Sequence, residues 1–265
     1  MKRFQDYVAG YRSTGEENDR VWTEFTEATD TIDWLREHRD WVERNNWGLG
    51  DRAFHFMWYL LLRDAIVPIA ERPALLEIGV FNGQVISLWA LIASQCGATP
   101  RIFGISPLAG NPAYPRGLHF LMLRFNKRYK EDAAVGNLFP HKDYRGCIER
   151  LFREFGQNFG SVRLLRGSSQ DLAIRGQIDS ERFDVVYIDG GHRYDQVLQD
   201  ITFYGSRVKP GGYLVLDDAS WFQPGSAFFK GFESASRAAE ELDAGVFQNV
   251  LNVGHNRIYQ KRSNT

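Results

Sequence analysis

The sequence is short of several features, and each shortage removes a class of answer. It has only two cysteines, Cys96 and Cys147, far apart and without C-x-x-C or histidine-spaced partners. Neither a disulfide framework nor a zinc site is expected, and a reducing, cytoplasmic setting fits that usage. There is almost no net charge, with 32 basic residues against 33 acidic ones. No strong field therefore draws nucleic acid or an anionic membrane, although local basic patches remain. Long hydrophobic runs are missing too. The most apolar stretch, 54–70, is broken by Arg63, Asp64 and Pro68 and reads as a buried helix, not a membrane span. The start, MKRFQDYVAGYRSTGEENDR, is basic but lacks the apolar core of a secretory signal. Internal repeats and low-complexity linkers are also absent. A length of 265 residues suits one large α/β domain with an extension, or two small domains.

What is present is a rhythm. Residues 1–50 are polar but carry Trp22, Trp34, Trp41 and Trp47. With Ile32, Leu35 and Val42 they have loosely helical spacing, which predicts a helical cap over 1–70. Core packing is the expected use of most of these tryptophans, with an aromatic wall for a substrate as the alternative. Residues 51–70 read as a helix, ALLEIGV (74–80) as a strand and 84–95 as a helix. RIFGIS (101–106), SVRLLR (161–166), 183–189 and GYLVLD (212–217) are further strands, the last announced by the turn signal KPGG at 209–212. Apolar strands alternating with helical stretches predict a Rossmann-like, doubly wound, mostly parallel sheet over 71–265. The tail FQNVLNVGHNRIYQ is expected to add one or two strands, with an antiparallel edge. The span 107–160 exceeds one crossover helix and is read as an insertion that carries substrate specificity.

Four stretches carry chemistry. In LLEIGVFNGQ a strand runs through Glu77 into a turn with Gly79 and Gly83, then a helix whose free N–H groups can face a ligand. It is neither a P-loop nor a full G-x-G-x-x-G fingerprint. In LLRGSSQD a strand ends at Gly167, followed by Ser168, Ser169 and Gln170, which suit hydrogen bonds to a heterocycle or the capping of a helix. In YIDGGH a buried strand stops at Asp189, and two glycines later comes His192, a candidate general base. In YLVLDD a strand ends on Asp217 and Asp218. Ligands of open α/β sheets lie beyond the carboxyl ends of the strands. Asp189, Asp217 and Asp218 would converge there, and three crowded carboxylates suit Mg²⁺ or another hard divalent cation.

In this order, LLEIGVFNGQ, LLRGSSQD, FDVVYIDGGHRYDQVLQDI and VKPGGYLVLDD resemble a class I S-adenosylmethionine-dependent methyltransferase. More narrowly, the chain is similar to the macrocin O-methyltransferase and cephalosporin-hydroxylase-like group. The resemblance implies that Glu77, Gly79 and Gly83 cradle the methionine part of S-adenosylmethionine and that Ser168, Ser169 and Gln170 border its adenine. It implies a divalent cation on Asp189 with Asp217 or Asp218, and His192 as base. Two positions depart from the usual pattern: Phe81 replaces a loop glycine, and Ser106 stands where an acid usually meets the ribose. The implied activity is O-methylation of a sugar, a polyhydroxylated natural product or a glycan. Trp221, Phe222, Tyr114 or the N-terminal tryptophans would stack on the acceptor. The rival readings are a scaffold that keeps the fold without the chemistry, and a partner-assisted oxidative enzyme, for which no 2-His-1-carboxylate spacing is present. A homo-oligomer is left open.

Overall fold

The computed structural model describes residues 2–111 and 114–263. Helices α1 (Phe4–Gly10), α2 (Gly15–Asp30), α3 (Asp33–Arg44) and α4 (Ala53–Leu60, continued by a π-helical segment Leu61–Ile66) precede the sheet. Then follow β1 (Ala74–Ile78), α5 (Gln84–Gln95), β2 (Arg101–Ser106), α6 (Arg116–Phe125), α7 (Lys127–Ala134), α8 (Tyr144–Glu154) and β3 (Val162–Arg166). The chain closes with α9 (Leu172–Gly176), β4 (Phe183–Ile188), α10 (Tyr194–Gly205), β5 (Val208–Leu216), α11 (Glu233–Ala239), β6 (Phe247–Val253) and β7 (Asn256–Lys261).

The seven strands form one sheet in the order β3-β2-β1-β4-β5-β7-β6, with β1 to β5 parallel. The mostly parallel, doubly wound architecture read from the sequence is therefore the observed one. The tail supplies two strands, and the edge pairing is antiparallel as expected. β7 lies inside the sheet between β5 and β6, so the edge belongs to β6. The KPGG stretch is not a turn before the strand. β5 starts at Val208 opposite Phe183, and the next paired residues are Tyr213 and Val185, so Lys209–Gly212 bulge out of the ladder. Lys209 Nζ is tied to Asp184 at 2.8 Å across that bulge.

Successive strand residues point to opposite faces of the sheet, and both faces are covered. Leu75, Tyr187, Val215 and Ile258 face a core shared with Phe4, Val21, Phe25, Phe54, Trp58 and Trp89. Leu76, Ile78, Val186, Ile188, Leu214 and Leu216 face a second core, with Val197, Ile201 and Ala238 from α10 and α11. The N-terminal helices thus pack directly on the sheet. Three of their tryptophans are held by protein contacts: Trp22 donates to Asp51, Trp34 meets Tyr59 edge-on, and Trp41 meets Trp47 edge-on. Within 107–160, α8 buries Ile148 and Phe152 in the first core and serves as the crossover helix. The excursion proper is 107–143, where α6 and α7 bury no residue.

The ladder runs one residue past several strand ends. Gly79 N–H donates to Ile105 O, Asp189 N–H to Ile78 O and Asp217 N–H to Ile188 O. The loops leave β1, β4 and β5 side by side, closely enough to dictate a residue. Gly79 has φ +96°, and a Cβ there would meet the Asp189 carbonyl oxygen at 1.7 Å. Gly79→Ala is expected to destabilise the fold by at least about 3 kcal/mol, through left-handed strain and backbone overlap together. Urea denaturation of the purified variant checks this, and a loss below about 1 kcal/mol would contradict the packing described.

Candidate active site

Strand parity sets the first feature. Glu77 shares a face with Leu75, Asp189 with Tyr187 and Asp217 with Val215, so all three point toward the N-terminal helices. Two adjoining cavities open along these strand ends. The larger, about 440 Å³, is lined by Gly79, Ser106, Gly167, Ser168, Ser169, Gln170, Asp189 and His192, with Asn137 and Arg128 from the 107–143 excursion. The smaller, about 50 Å³, is lined by Glu77, Asp189 and Asp217 and by Trp47, Phe54, His55 and Trp58 from the N-terminal part. Gly79, Phe81 and Asp189 line both.

The two glycines of the first loop have different jobs. Gly79 is a cavity wall. Gly83 lines neither cavity: it takes φ +88° at the start of α5, and a Cβ there would strike Ile148 of α8 at 2.9 Å. Its smallness serves helix packing. Phe81 adopts a left-handed φ of +44° where a glycine would be unstrained, with its ring against Phe139 and Tyr144.

Glu77 is almost fully buried, and its Oε2 has no hydrogen-bond partner. Burial first, and the Asp217 charge after it, push its carboxyl well above the usual range. His55 Nδ1, Gln84 Oε1 and Asn82 Oδ1 are likewise buried without partners around the small cavity. Orphaned buried polar atoms cost free energy unless something meets them. Several such atoms border the small cavity, a lining suited to the charged end of a ligand.

At the far end of the larger cavity, Ser168, Ser169 and Gln170 are held by a residue the sequence reading did not single out. Asp200, on α10, accepts from Ser169 Oγ at 3.0 Å and from Gln170 Nε2 at 2.9 Å. Ser168 Oγ donates to Gln170 Oε1 at 3.0 Å. These side chains form a preset wall. Ser106 closes the same side, its Oγ accepting from Leu108 N–H at 3.4 Å.

His192 is held on several sides. Its Nδ1 is 2.7 Å from the Val135 carbonyl just beyond α7, and its backbone N–H donates to Asn137 Oδ1 at 3.1 Å. The ring stacks on Phe232 with centroids 4.7 Å apart. A carbonyl only accepts, so Nδ1 carries the proton and Nε2 is left facing Asp218 Oδ2 at 3.2 Å. The excursion between β2 and β3 thus fixes the tautomer of the candidate base.

The three aspartates are not equivalent. Asp218 has a left-handed φ of +53°, which breaks the alternation of an extended strand. Asp217 and Asp218 consequently both approach His255, at 3.3 Å and 3.8 Å from its Nε2. Asp217, Asp218 and His255 offer ligand atoms within 4.8 Å of one another. Asp189, expected to share a cation with both, lies outside this grouping and borders the two cavities beside Asp217. Burial first, then Asp217, raises its carboxyl well above the normal range. Asp218 is pushed up to about 6 by burial and by Asp217, with His255 and His192 opposing the rise. Of the aromatic residues expected against an acceptor, Trp221 and Phe222 are about half exposed, and the Tyr114 ring meets Tyr129 edge-on.

Asp200 gives a pH test of this wall. Burial pushes its carboxyl up to about 6, with the Ser169 and Gln170 hydrogen bonds opposing. The native state therefore binds more protons than the unfolded chain, and stability falls as pH rises from about 4 through 6. The contribution is on the order of 3 kcal/mol. In urea titrations at pH 4 and pH 7, Asp200→Asn is expected to remove that part of the wild-type decline. Parallel curves for the two proteins would contradict it.

The comparisons with known proteins come to the same region. A family model described as a methyltransferase domain matches residues 76–219, from β1 to just past β5. An uncharacterized protein of Acanthamoeba polyphaga mimivirus is 34% identical over 182 residues, which cover 67% of this chain and 64% of that protein. The chain thus spans about two thirds of that relative's length. Among solved structures, the O-methyltransferase NovP is 16% identical over 80% of each chain, with a TM-score of 0.54. The calicheamicin methyltransferase CalS11 is 12% identical over 98% of each, with a TM-score of 0.55. An O-methyltransferase from Bacillus cereus is 14% identical over 92% of this chain and 100% of its own, with a TM-score of 0.51. At such identities these structures establish the shared fold. The matched segment is more than half of the sequence and holds every strand end that builds the cavities, and on that ground the chain belongs to the methyltransferase-domain family.

Proposed function

We propose that the protein is an S-adenosylmethionine-dependent O-methyltransferase acting on a hydroxyl of a sugar, a polyhydroxylated natural product or a glycan. The observation that carries this reading is the 440 Å³ cavity along the strand ends, adjoining a pocket where Glu77 Oε2 has no partner. Its volume lies in the range of small-molecule sites. An ammonium group entering the small pocket would meet Glu77 and bring the carboxyl back to its ionised form. The purine end would lie against the wall of Ser168, Ser169 and Gln170, with Ser106 on the side of the ribose. The neighbours CalS11, described as a TDP-rhamnose 3'-O-methyltransferase, and NovP support a hydroxyl acceptor on a natural product. Free Cys96 and Cys147 support a reducing, cytoplasmic setting. We also propose residues 1–70 as the cap that walls the amino-acid end, on the strength of Trp47, Phe54 and His55 lining it.

When bound, S-adenosylmethionine supplies an electrophilic methyl group on a sulfonium. The chain's own work is to align the acceptor oxygen with that methyl and to take its proton. The proton goes to the free lone pair of His192 Nε2, beside Asp218, with the ring held at the cavity wall by Val135 and Phe232. Asp217 and Asp218, with Asp189 beside them, are the residues that would hold a divalent cation. Their crowded oxygen donors suit one, and it would lower the pKa of the acceptor hydroxyl. The scaffold reading has one feature in its favour, Ser106 in place of an acid.

Calorimetric titration with S-adenosylhomocysteine, with Mg²⁺ and again with EDTA, tests the proposal. Binding is expected in both, and Glu77→Gln is expected to weaken it about 10- to 100-fold by removing a charge-assisted bond. No binding by the wild type under either condition contradicts the enzymatic reading and favours the scaffold. Equal affinity of wild type and variant removes Glu77 from the site.

A further inference from the structure

We infer that His255 is a nitrogen ligand for a divalent cation held with Asp217 and Asp218, which makes the site selective for a transition metal over Mg²⁺. The inference rests on the reading of those carboxylates as a cation site and names the donor that decides which cation it takes.

His255 is brought there by the fold. β6 and β7 are joined by a two-residue hairpin turn, Gly254 and His255, between the paired residues Val253 and Asn256. Gly254, with φ +57°, supplies the left-handed first position that such turns require. β7 pairs antiparallel with β5, so the tip of the hairpin arrives where β5 ends. The contact is fixed by a backbone bond, with Ala219 N–H donating to the His255 carbonyl at 2.9 Å. The imidazole then has little freedom. It is 4% exposed and packed edge-on against Phe54 at 4.5 Å and Phe229 at 5.5 Å.

The ring is aimed at the carboxylates without satisfying them. His255 Nε2 is 3.3 Å from Asp217 Oδ1 and 3.8 Å from Asp218 Oδ1. Asp217 Oδ1 is buried and makes no hydrogen bond, and His255 Nδ1 is buried and makes none either. A histidine and two carboxylates in a buried corner, with Asp217 Oδ1 free of hydrogen bonds, form a donor set suited to a cation. Ligands bound at about 2.0–2.3 Å lie no more than about 4.6 Å apart across a cation. The three donor atoms lie within 4.8 Å of one another, close to that limit.

The opposite side of the ring supports the same assignment. Its Nδ1 lies 3.8 Å from Asp51 Oδ2, a carboxylate oxygen that Trp22 Nε1–H already holds at 2.8 Å. A metal-bound imidazole commonly directs its other N–H to a carboxylate, which fixes the tautomer and raises ligand basicity. Asp51 is placed for that task. At 3.8 Å it is too far for a hydrogen bond in this structure, and a small rotation of the Asp51 carboxylate would bring it into range. Asp218 serves both histidines: its Oδ1 faces His255 and its Oδ2 faces His192 at 3.2 Å. The cation site and the candidate base therefore meet at one carboxylate.

Imidazole nitrogen favours Mn²⁺, Co²⁺, Fe²⁺ or Zn²⁺ relative to Mg²⁺, which prefers oxygen donors and retains water. The full chain loaded with Mn²⁺ alone and measured by electron spin-echo envelope modulation is expected to show coupling to an imidazole ¹⁴N. That coupling is expected to vanish in His255→Gln and in His255→Asn, either of which suffices if the other fails to fold. Calorimetry of the same proteins is expected to show at least a tenfold drop in the Mn²⁺-to-Mg²⁺ affinity ratio. Mn²⁺ bound by the wild type without ¹⁴N coupling, or coupling that survives in the variants, overturns the inference while leaving a cation site. Failure of the wild type to bind Mn²⁺, Co²⁺, Zn²⁺ or Mg²⁺ overturns the cation reading itself.

Discussion

The constraint on which the rest of the structure depends is the level at which the parallel strands stop. Ile78, Ile188 and Leu216 lie in register across β1, β4 and β5, and the residue after each continues the ladder by one hydrogen bond. Gly79, Asp189 and Asp217 therefore emerge side by side. One of them must be glycine because the neighbouring backbone occupies the space of a side chain. The other two carry carboxylates that parity turns toward the N-terminal helices. A shift of one residue in any of these strands would send its carboxylate to the opposite face.

The same geometry stores unfavourable electrostatics. Glu77, Asp189 and Asp218 are all driven toward their neutral forms by burial and then by the Asp217 charge. A protein selected for stability alone would not collect acids at a buried strand edge. The cost becomes intelligible if ligands supply the missing positive charge: an ammonium beside Glu77 and a cation beside Asp217 and Asp218. Meanwhile His192 and His255 approach Asp218 from two sides, one fixed by the excursion after β2 and the other by the terminal hairpin. This corner of the candidate site is thus assembled from segments far apart in the chain.

Much of this was legible in the sequence. The strands were marked by apolar runs ending on glycine or aspartate, and the alternation with helices gave the parallel sheet. Gly79, Ser106, Gln170, Asp189 and His192 could be named because each closes or follows such a strand, and all line the larger cavity. Other features were hidden for physical reasons. A hairpin signature in VGHN says that two strands pair, but not that β5 captures the second of them, so neither the interior place of β7 nor the arrival of His255 could be read. Asp200 lies within an amphipathic helix, where a carboxylate usually means a solvated face. Gly83 looked like part of a ligand loop, yet its space is taken by Ile148, a contact that depends on how the long excursion returns.

The central claim is that the strand-end cavities hold a sulfonium cofactor with its amino-acid end at Glu77. A crystal structure of the protein grown with S-adenosylhomocysteine tests it most directly. The account expects the homocysteine ammonium within hydrogen-bonding distance of Glu77 Oε2, the sulfur beside Gly79 and Asp189, and the adenine against Ser168, Ser169 and Gln170. Density for the ligand elsewhere, or in the large cavity with its amino-acid end turned away from Glu77, would contradict it.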